Sequence, residues 1–410
     1  MKCNLKCWFV FAIILSVVTL GIGQQHYGNE WIRASKTYLK LKVAENGMYR
    51  VTYDQMVAAG LISSQVDGFS FQLFNYGKEQ PIYVSNNNFG KGEYIEFYGV
   101  KNTIGLDSLL YQNWRKDLFN PEYSLVNDTN AYFLTLSPES NNKRFTLITP
   151  NYNNINLTPA PYYIHKEKLV FSDTYFKNIE SSEIRNSYFE PSEGFGTSIT
   201  LNNSNTVFNV SKIYDDGPAP TLSCRLGNNN QTSRLELSFN GNLLETVMNP
   251  PKGTLQWDYT MSKSLLKNGN NTLNIRNTFS NNDRHRIAVA TLTYARTFDF
   301  QGKNEFSFTM PASTDPVFIK ADAFNYTNRN VRVVDPESGL IYTTAVSGNQ
   351  LLIRLNPASR PSEYITLDES AVKAITDMRL FTPKSFADVG TEYLIITSPD
   401  LKKHYYRFCG

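Results

Sequence analysis

Leu235-Glu236-Leu237-Ser238-Phe239-Asn240-Gly241-Asn242-Leu243 is the stretch that decides the fold. Leu235, Leu237 and Phe239 alternate with polar residues, the period of a strand with one buried face. Asn240-Gly241 is the dipeptide favoured in two-residue hairpins, because both turn positions need positive φ. The partner strand leaves through Leu243. Leu255, Trp257 and Tyr259 form the next alternating face, Ser262 to Leu266 reads as a helical turn, and Leu273 and Ile275 resume a strand after Asn268-Gly269-Asn270-Asn271. Upstream, Cys224 alternates in phase with Leu222 and Leu226. Downstream, strands are expected at Ile287 to Tyr294, Phe306 to Met310, Val317 to Ala321 and Val331 to Val334. Short strands at this spacing predict two packed sheets, a jelly-roll-like β-sandwich over 191–384.

The preceding region, 24–150, predicts a small α+β domain with a strand majority. Leu39, Leu41 and Val43 line one strand face, Asn46-Gly47 signals a hairpin turn, and Met48, Tyr49 and Val51 return. Asp54 is placed to cap a short helix with Met56, Val57 and Leu61 on its apolar side and Gly60 at its end. Further strands are expected at Phe71 to Phe74, Ile82 to Val84, Tyr94 to Tyr98 and Ala131 to Leu136. Residues 151–190, entered at Pro159 and Pro161, read as a connector.

Both ends of the chain carry their own signals. Lys2 and Lys6 precede an apolar run from Trp8 to Leu20, and Gly21-Ile22-Gly23 before Gln24 has the small residues of a cleavage site, so 1–23 reads as a signal peptide. The run is shorter than the roughly 20 apolar residues that span a bilayer. No cysteine stands at a lipoprotein-type position, so Gln24 is the expected mature N-terminus. At the other end, Tyr393-Leu394-Ile395-Ile396-Thr397 reads as a strand buried on both faces, and Ser398-Pro399-Asp400 as a helix start. Completing such a β/α unit takes on the order of a hundred further residues, and ten follow Asp400. Residues 385–410 are therefore expected to be the first strand of an incomplete α/β domain.

Composition supports a mainly β protein. Aromatic residues make up 13% of the chain, with 25 Tyr and 26 Phe, which favours strands over helical bundles. The net charge of +3 comes from Lys and Arg scattered among Asp and Glu, so no phosphate-tracking stripe and no nucleic-acid partner is expected. Cys3 and Cys7 leave with the signal peptide. Cys224 and Cys409 remain, too few for a disulfide scaffold, and Cys224 reads as a buried small hydrophobe. Neither suits a nucleophile, which needs an electropositive, partly exposed setting. His165 in the connector and His285 in Asp283-Arg284-His285-Arg286 read as solvated loop residues, and Asp215-Asp216-Gly217 as a polar turn. No metal, nucleotide or cofactor motif occurs. The expectation for catalytic, cofactor-binding and metal residues is none.

Tyr38-Leu39-Lys40-Leu41-Lys42-Val43-Ala44-Glu45-Asn46-Gly47-Met48-Tyr49-Arg50-Val51-Thr52-Tyr53 resembles the N-terminal signature of the PorU family, the sortases of the Bacteroidota type IX secretion system, which are gingipain-related cysteine peptidases. Phe89 to Gly99, Asn120-Pro121-Glu122-Tyr123-Ser124, Ala131 to Thr135 and Val331 to Pro336 agree in the same order. Glu392 to Leu401 resembles the first strand and helix start of the gingipain peptidase domain. Around Tyr188-Phe189-Glu190 the match to the family's Trp-Phe-Gly-Glu-like stretch is loose.

The resemblance implies a surface protein that removes C-terminal sorting domains from exported cargo and attaches cargo to the surface, through a cysteine thiolate, a histidine and oxyanion donors. Those residues fall beyond the family's first peptidase strands and map to no position here, so the chain is expected to be catalytically inactive as it stands. The partners implied are outer-membrane type IX components and exported cargo, at the periplasm or outer cell surface. The alternative is a secreted carbohydrate-binding or partner-docking β-sandwich module, in which Trp257, Tyr259 and Tyr294 would stack on sugars of a surface polysaccharide. Each alternates in phase with apolar neighbours, which favours the core instead.

Overall fold

Alternation and turn chemistry fix the central hairpin. Ser233–Phe239 pairs antiparallel with Asn242–Asn249, Phe239 faces Asn242, and Asn240 and Gly241 between them take φ of 50° and 83°, the two positive values a type I′ turn requires. This is the expected geometry. The computed structural model describes residues 29–138, 141–153, 155–177, 188–228, 232–278, 283–327 and 330–383. The signal peptide read over 1–23, the strand and helix start expected at 393–400, and Cys409 lie outside them.

The hairpin belongs to a four-stranded sheet in the order Asn203–Val210, Gly269–Asn277, Ser233–Phe239, Asn242–Asn249. That sheet covers one end of a nine-stranded sheet, with Phe208, Leu237, Leu222, Trp257 and Leu292 in the core between them. The nine strands run Thr146–Ile148, Leu340–Thr343, Arg332–Asp335, Ser362–Leu367, Glu305–Met310, Tyr163–Val170, Arg286–Arg296, Thr221–Gly227, Thr254–Thr260. Its other end is covered by Val317–Ala321, Gln350–Leu355 and Ala345–Ser347, over a second core that includes Phe300, Phe308, Ile319, Ile353 and Tyr364. The chain is thus mainly β, as composition predicts. The stretch read as a connector supplies the strand Tyr163–Val170 at the middle of this sheet. Its residues His165-Lys166-Glu167-Lys168 are polar on both faces, so no apolar period marks it.

The N-terminal region differs from expectation at its first turn. Tyr38–Val43 and Gly47–Thr52 do not pair with each other: the first lies between Asn130–Leu136 and Met378–Phe381, the second between Tyr94–Gly99 and Lys373–Ala374. Ala44 to Asn46 therefore carry the chain from one sheet to the facing one. The reason is burial, because Leu39, Leu41 and Val43 meet Tyr49 and Val51 across a shared core with Ile95, Phe97 and Leu134. A hairpin would set these apolar sets side by side in one sheet. The short helix Tyr53–Ala58 is capped by Thr52 rather than Asp54: Thr52 Oγ1 accepts from Gln55 N at 3.2 Å, and Gln55 Oε1 accepts from Thr52 N at 2.9 Å.

Tyr94–Gly99 and Gly47–Thr52 are buried on both faces. Ile95, Phe97, Tyr49 and Val51 face the N-terminal core. Met48, with Tyr83 and Tyr98, packs against Val334, Ile341, Ile365 and Leu367 of the nine-stranded sheet. Glu96 lies within this second contact, fully buried. Its Oε1 accepts from Arg50 Nη2 at 2.5 Å and its Oε2 from Arg332 Nη1 at 2.6 Å. Both arginines also reach Glu369. Removing one partner of a buried ion pair typically costs ~3–5 kcal/mol because the others stay buried and uncompensated. Glu96→Ala is therefore expected to lower the unfolding free energy by an amount in that range, read as a lower urea midpoint at unchanged slope. A midpoint within error of the parent protein would show that the ion cluster does not hold the layers together.

Candidate functional site

Tyr163–Val170 and Glu305–Met310 are neighbours in the nine-stranded sheet, yet among the described residues they pair only at Ile164 and Thr309. Each continues along a different partner, Arg286–Arg296 for the first and Ser362–Leu367 for the second. Beyond that bridge lies a cleft of about 860 Å³. Arg296, the last residue of the strand Arg286–Arg296, forms part of its wall. Only 3% of Arg296 is exposed, and its Nε and Nη2 make no hydrogen bond. The Phe306 ring centroid lies 6.0 Å from the Arg296 guanidinium and 5.8 Å from Lys303 Nζ, so two cations flank one ring.

His165 sits on the same wall, on a strand rather than in the loop expected for it. Its Nε2 lies 3.2 Å from Glu167 Oε2, and its ring packs edge-on against Tyr294 at 5.3 Å. Burial pushes its pKa down, Glu167 opposes that shift, and the positive charges of Arg296 and Lys303 add to it. Two cations, Arg296 and Lys303, therefore act on this end of the cleft, opposed by the Glu167 carboxylate. Glu305 and Glu363 line the cleft as well, and the charges that act on Glu305 are Lys373 and Glu45, not Arg296. Sequence reasoning missed Arg296. The signal was present: Ala290, Leu292, Tyr294 and Arg296 share one strand phase, and a charge that continues a buried apolar face is the anomaly to look for.

His285 also departs from expectation. It is fully buried. Asn277 Nδ2 donates to the carbonyls of Thr200 and Asp283 at 3.2 and 2.9 Å, which leaves its Oδ1 to face His285 Nδ1 at 3.0 Å. Nδ1 is then the donor, and Nε2 accepts from the Ser204 hydroxyl at 2.7 Å. A hydroxyl on a histidine held by a third group resembles an activated nucleophile. Here, however, burial pushes the His285 pKa down to about 4, and neither Ser204 nor His285 lines the cleft. The trio ties chain segments together.

The remaining sequence candidates are structural. Cys224 is buried, and burial pushes its thiol up to about 12, the opposite of an activated cysteine. Trp257 and Tyr294 are core residues, and Trp257 Nε1 donates to Glu245 Oε2 at 2.8 Å while its ring stacks on Tyr259. They present no sugar-stacking platform. Asp215 and Asp216 are exposed in a turn closed by Gly217 N donating to Tyr214 O at 3.2 Å. Among the described residues no three potential ligand side chains gather around a cation position.

No protein-family model matches the chain, and no curated protein matches it in sequence. Among solved structures, the fold is similar to dimeric latent PorU from Porphyromonas gingivalis, with TM-score 0.54 and 12% identity over 84% of this chain and 33% of that one. The chain thus spans about a third of the PorU chain it matches. A CBM35 module of Abf62 from Cellvibrio japonicus aligns over 32% of this chain and 96% of its own, at 16% identity and TM-score 0.22. The CBM36-1 domain of a xylanase from the hindgut metagenome of Trinervitermes trinervoides aligns over 31% and 96%, at 18% identity and TM-score 0.20. The likeness to PorU is one of fold, and it agrees with the sequence resemblance at that level.

Two measurements follow from the buried groups. An ordinary histidine titrates near 6.5, so between pH 6.5 and about 4 the unfolded chain binds a proton at His285 that the folded chain refuses. Stability from this residue is present above pH 6.5 and falls as pH drops through that window, by ~3 kcal/mol. Urea unfolding at pH 7 and pH 4.5 should show a smaller difference for His285→Gln than for the parent, and equal differences would refute the assignment. Cys224 should resist alkylation in the native protein and react on unfolding, as read by peptide mass spectrometry. Native labelling would place the thiol at the surface.

Proposed function

We propose that this chain is the N-terminal scaffold region of a type IX secretion sortase-like protein of the gingipain family, exported to the periplasm or outer cell surface. The observation that carries the reading is the fold likeness to PorU through 84% of this chain. The order of the sequence stretches supports it too, because those within the described residues build the scaffold. Tyr38 to Tyr53 supplies two facing strands and the capped helix start, and Phe89 to Gly99 supplies Glu96. Val331 to Pro336 brings Arg332 to Glu96. In the stretch beginning at Asn120, that buried amide donates to the carbonyls of Phe171 and Phe195 at 2.8 and 3.2 Å.

In this reading the β layers hold and present, while the cysteine and histidine chemistry of the family is assigned to none of the described residues. The partners are outer-membrane components of the type IX apparatus and its exported cargo. For the carbohydrate-binding alternative, Trp257 and Tyr294 are taken up by the core and Tyr259 is half-buried beside Trp257, so that reading stands second.

The test is crosslinking in cells of the source organism. A photo-crosslinking residue at Val126, which is 73% exposed, is expected to yield adducts with outer-membrane type IX components, identified by mass spectrometry. Recovery of the protein without such adducts, or its retention in the cytoplasmic fraction, would overturn the reading.

A further inference from the structure

Burying a guanidinium without partners is costly, and three other buried or half-buried arginines each find a partner for Nη2, although Arg286 Nε makes no hydrogen bond. Arg50 sends both Nε and Nη2 to Glu96 Oε1, at 3.0 and 2.5 Å. Arg225 sends the same two atoms to the Leu118 carbonyl, at 3.1 and 2.6 Å. Arg286 lies between the rings of Phe119 and Phe176, at 4.2 and 4.4 Å, and its Nη2 donates to Ser192 O at 2.7 Å. Arg296 alone among these four leaves both Nε and Nη2 without a hydrogen bond. Those two atoms form one edge of the guanidinium plane, the edge that grips an oxyanion with two parallel N–H···O bonds.

The surroundings supply the rest of a binding site. Arg296 borders a cleft rather than a sealed core, and the exposed Lys303 stands at the same ring of Phe306. Of the nearby acids, Glu167 faces His165, and Asp299 Oδ2 is held by Lys212 Nζ at 2.7 Å while also feeling the Arg296 charge; Glu305 and Glu363 line the cleft without a hydrogen bond to Arg296. Gln301, also on the wall, adds an amide. We propose that this cleft binds an oxyanion, a carboxylate or a phosphate group carried by a ligand, at the guanidinium of Arg296 in its wall, with Lys303 supplying a second charge. The site does not depend on the secretion reading, and its test needs no secretion partner.

The experiment is calorimetric titration of the purified chain, at low ionic strength and without other multivalent anions, with inorganic phosphate and separately with succinate. Saturable binding of at least one probe is expected. Phosphate alone would point to a phosphorylated ligand and succinate alone to a carboxylate ligand; binding of both would define a general oxyanion seat. Arg296→Met is expected to weaken binding at least tenfold. Because it removes a buried charge whose Nε and Nη2 make no hydrogen bond, it should leave the unfolding midpoint of the free protein unchanged or raised, whereas a merely structural arginine would lower it. Lys303→Gln, at an exposed position, is expected to weaken binding about threefold without affecting the fold. Failure of both probes to bind at millimolar concentration would overturn the proposal. So would binding that survives both substitutions, or a lowered midpoint in Arg296→Met without loss of affinity.

Discussion

The buried carboxylate of Glu96, held between Arg50 and Arg332, constrains how every layer of this molecule is arranged. A carboxylate fully removed from water is tolerable only where donors meet it from more than one side. One of those donors comes from the second strand of the fold and the other from a strand nearly three hundred residues later. The N-terminal sheets and the nine-stranded sheet must therefore be present together for either to bury its facing surface. The apolar contact around Met48, Tyr98, Ile365 and Leu367 gains its fixed register from this cluster. Hydrophobic surface alone would permit sliding.

The same mutual dependence appears where the chain returns. Met378–Phe381 pairs with Tyr38–Val43, and Lys373–Ala374 with Gly47–Thr52. The N-terminal sandwich is thus completed by residues from beyond the second core. A chain laid out this way closes its longest loops last, because non-local pairings bring their stabilisation only after loop-closure entropy has been met.

Strand positions were legible in the sequence because alternation is a local property. Leu235 to Phe239 and its Asn240-Gly241 turn needed no further information. The Asn46-Gly47 stretch carries the same local signal and folds differently, since the strands that take up Tyr38–Val43 and Gly47–Thr52 lie far away in sequence. Turn propensity is overruled when facing apolar residues can share a core. The histidines failed for a related reason: His285 stands among charged neighbours in sequence, and only the long-range contact with Ser204 shows that it is buried. The Tyr163–Val170 strand escaped notice because its centre, His165 to Lys168, is polar on both faces, and only its ends, at Tyr163 and Leu169, reach the apolar cores.

That cleft follows from the architecture. One nine-stranded sheet serves two cores, the first around Phe208 and Trp257, the second around Phe300 and Phe308. Twist accumulates across so many strands, and a sheet of this width must curl or split. It parts where the cores meet, at the lone pairing of Ile164 with Thr309. Strands that part leave a cleft in the sheet, and Arg296, in phase with the buried face of its strand and itself almost wholly buried, lies in its wall. Arg50 and Arg225 satisfy the corresponding edge and Arg286 half of it, so the wholly unpartnered edge of Arg296 sets it apart from these three and is the observation on which the ligand proposal rests.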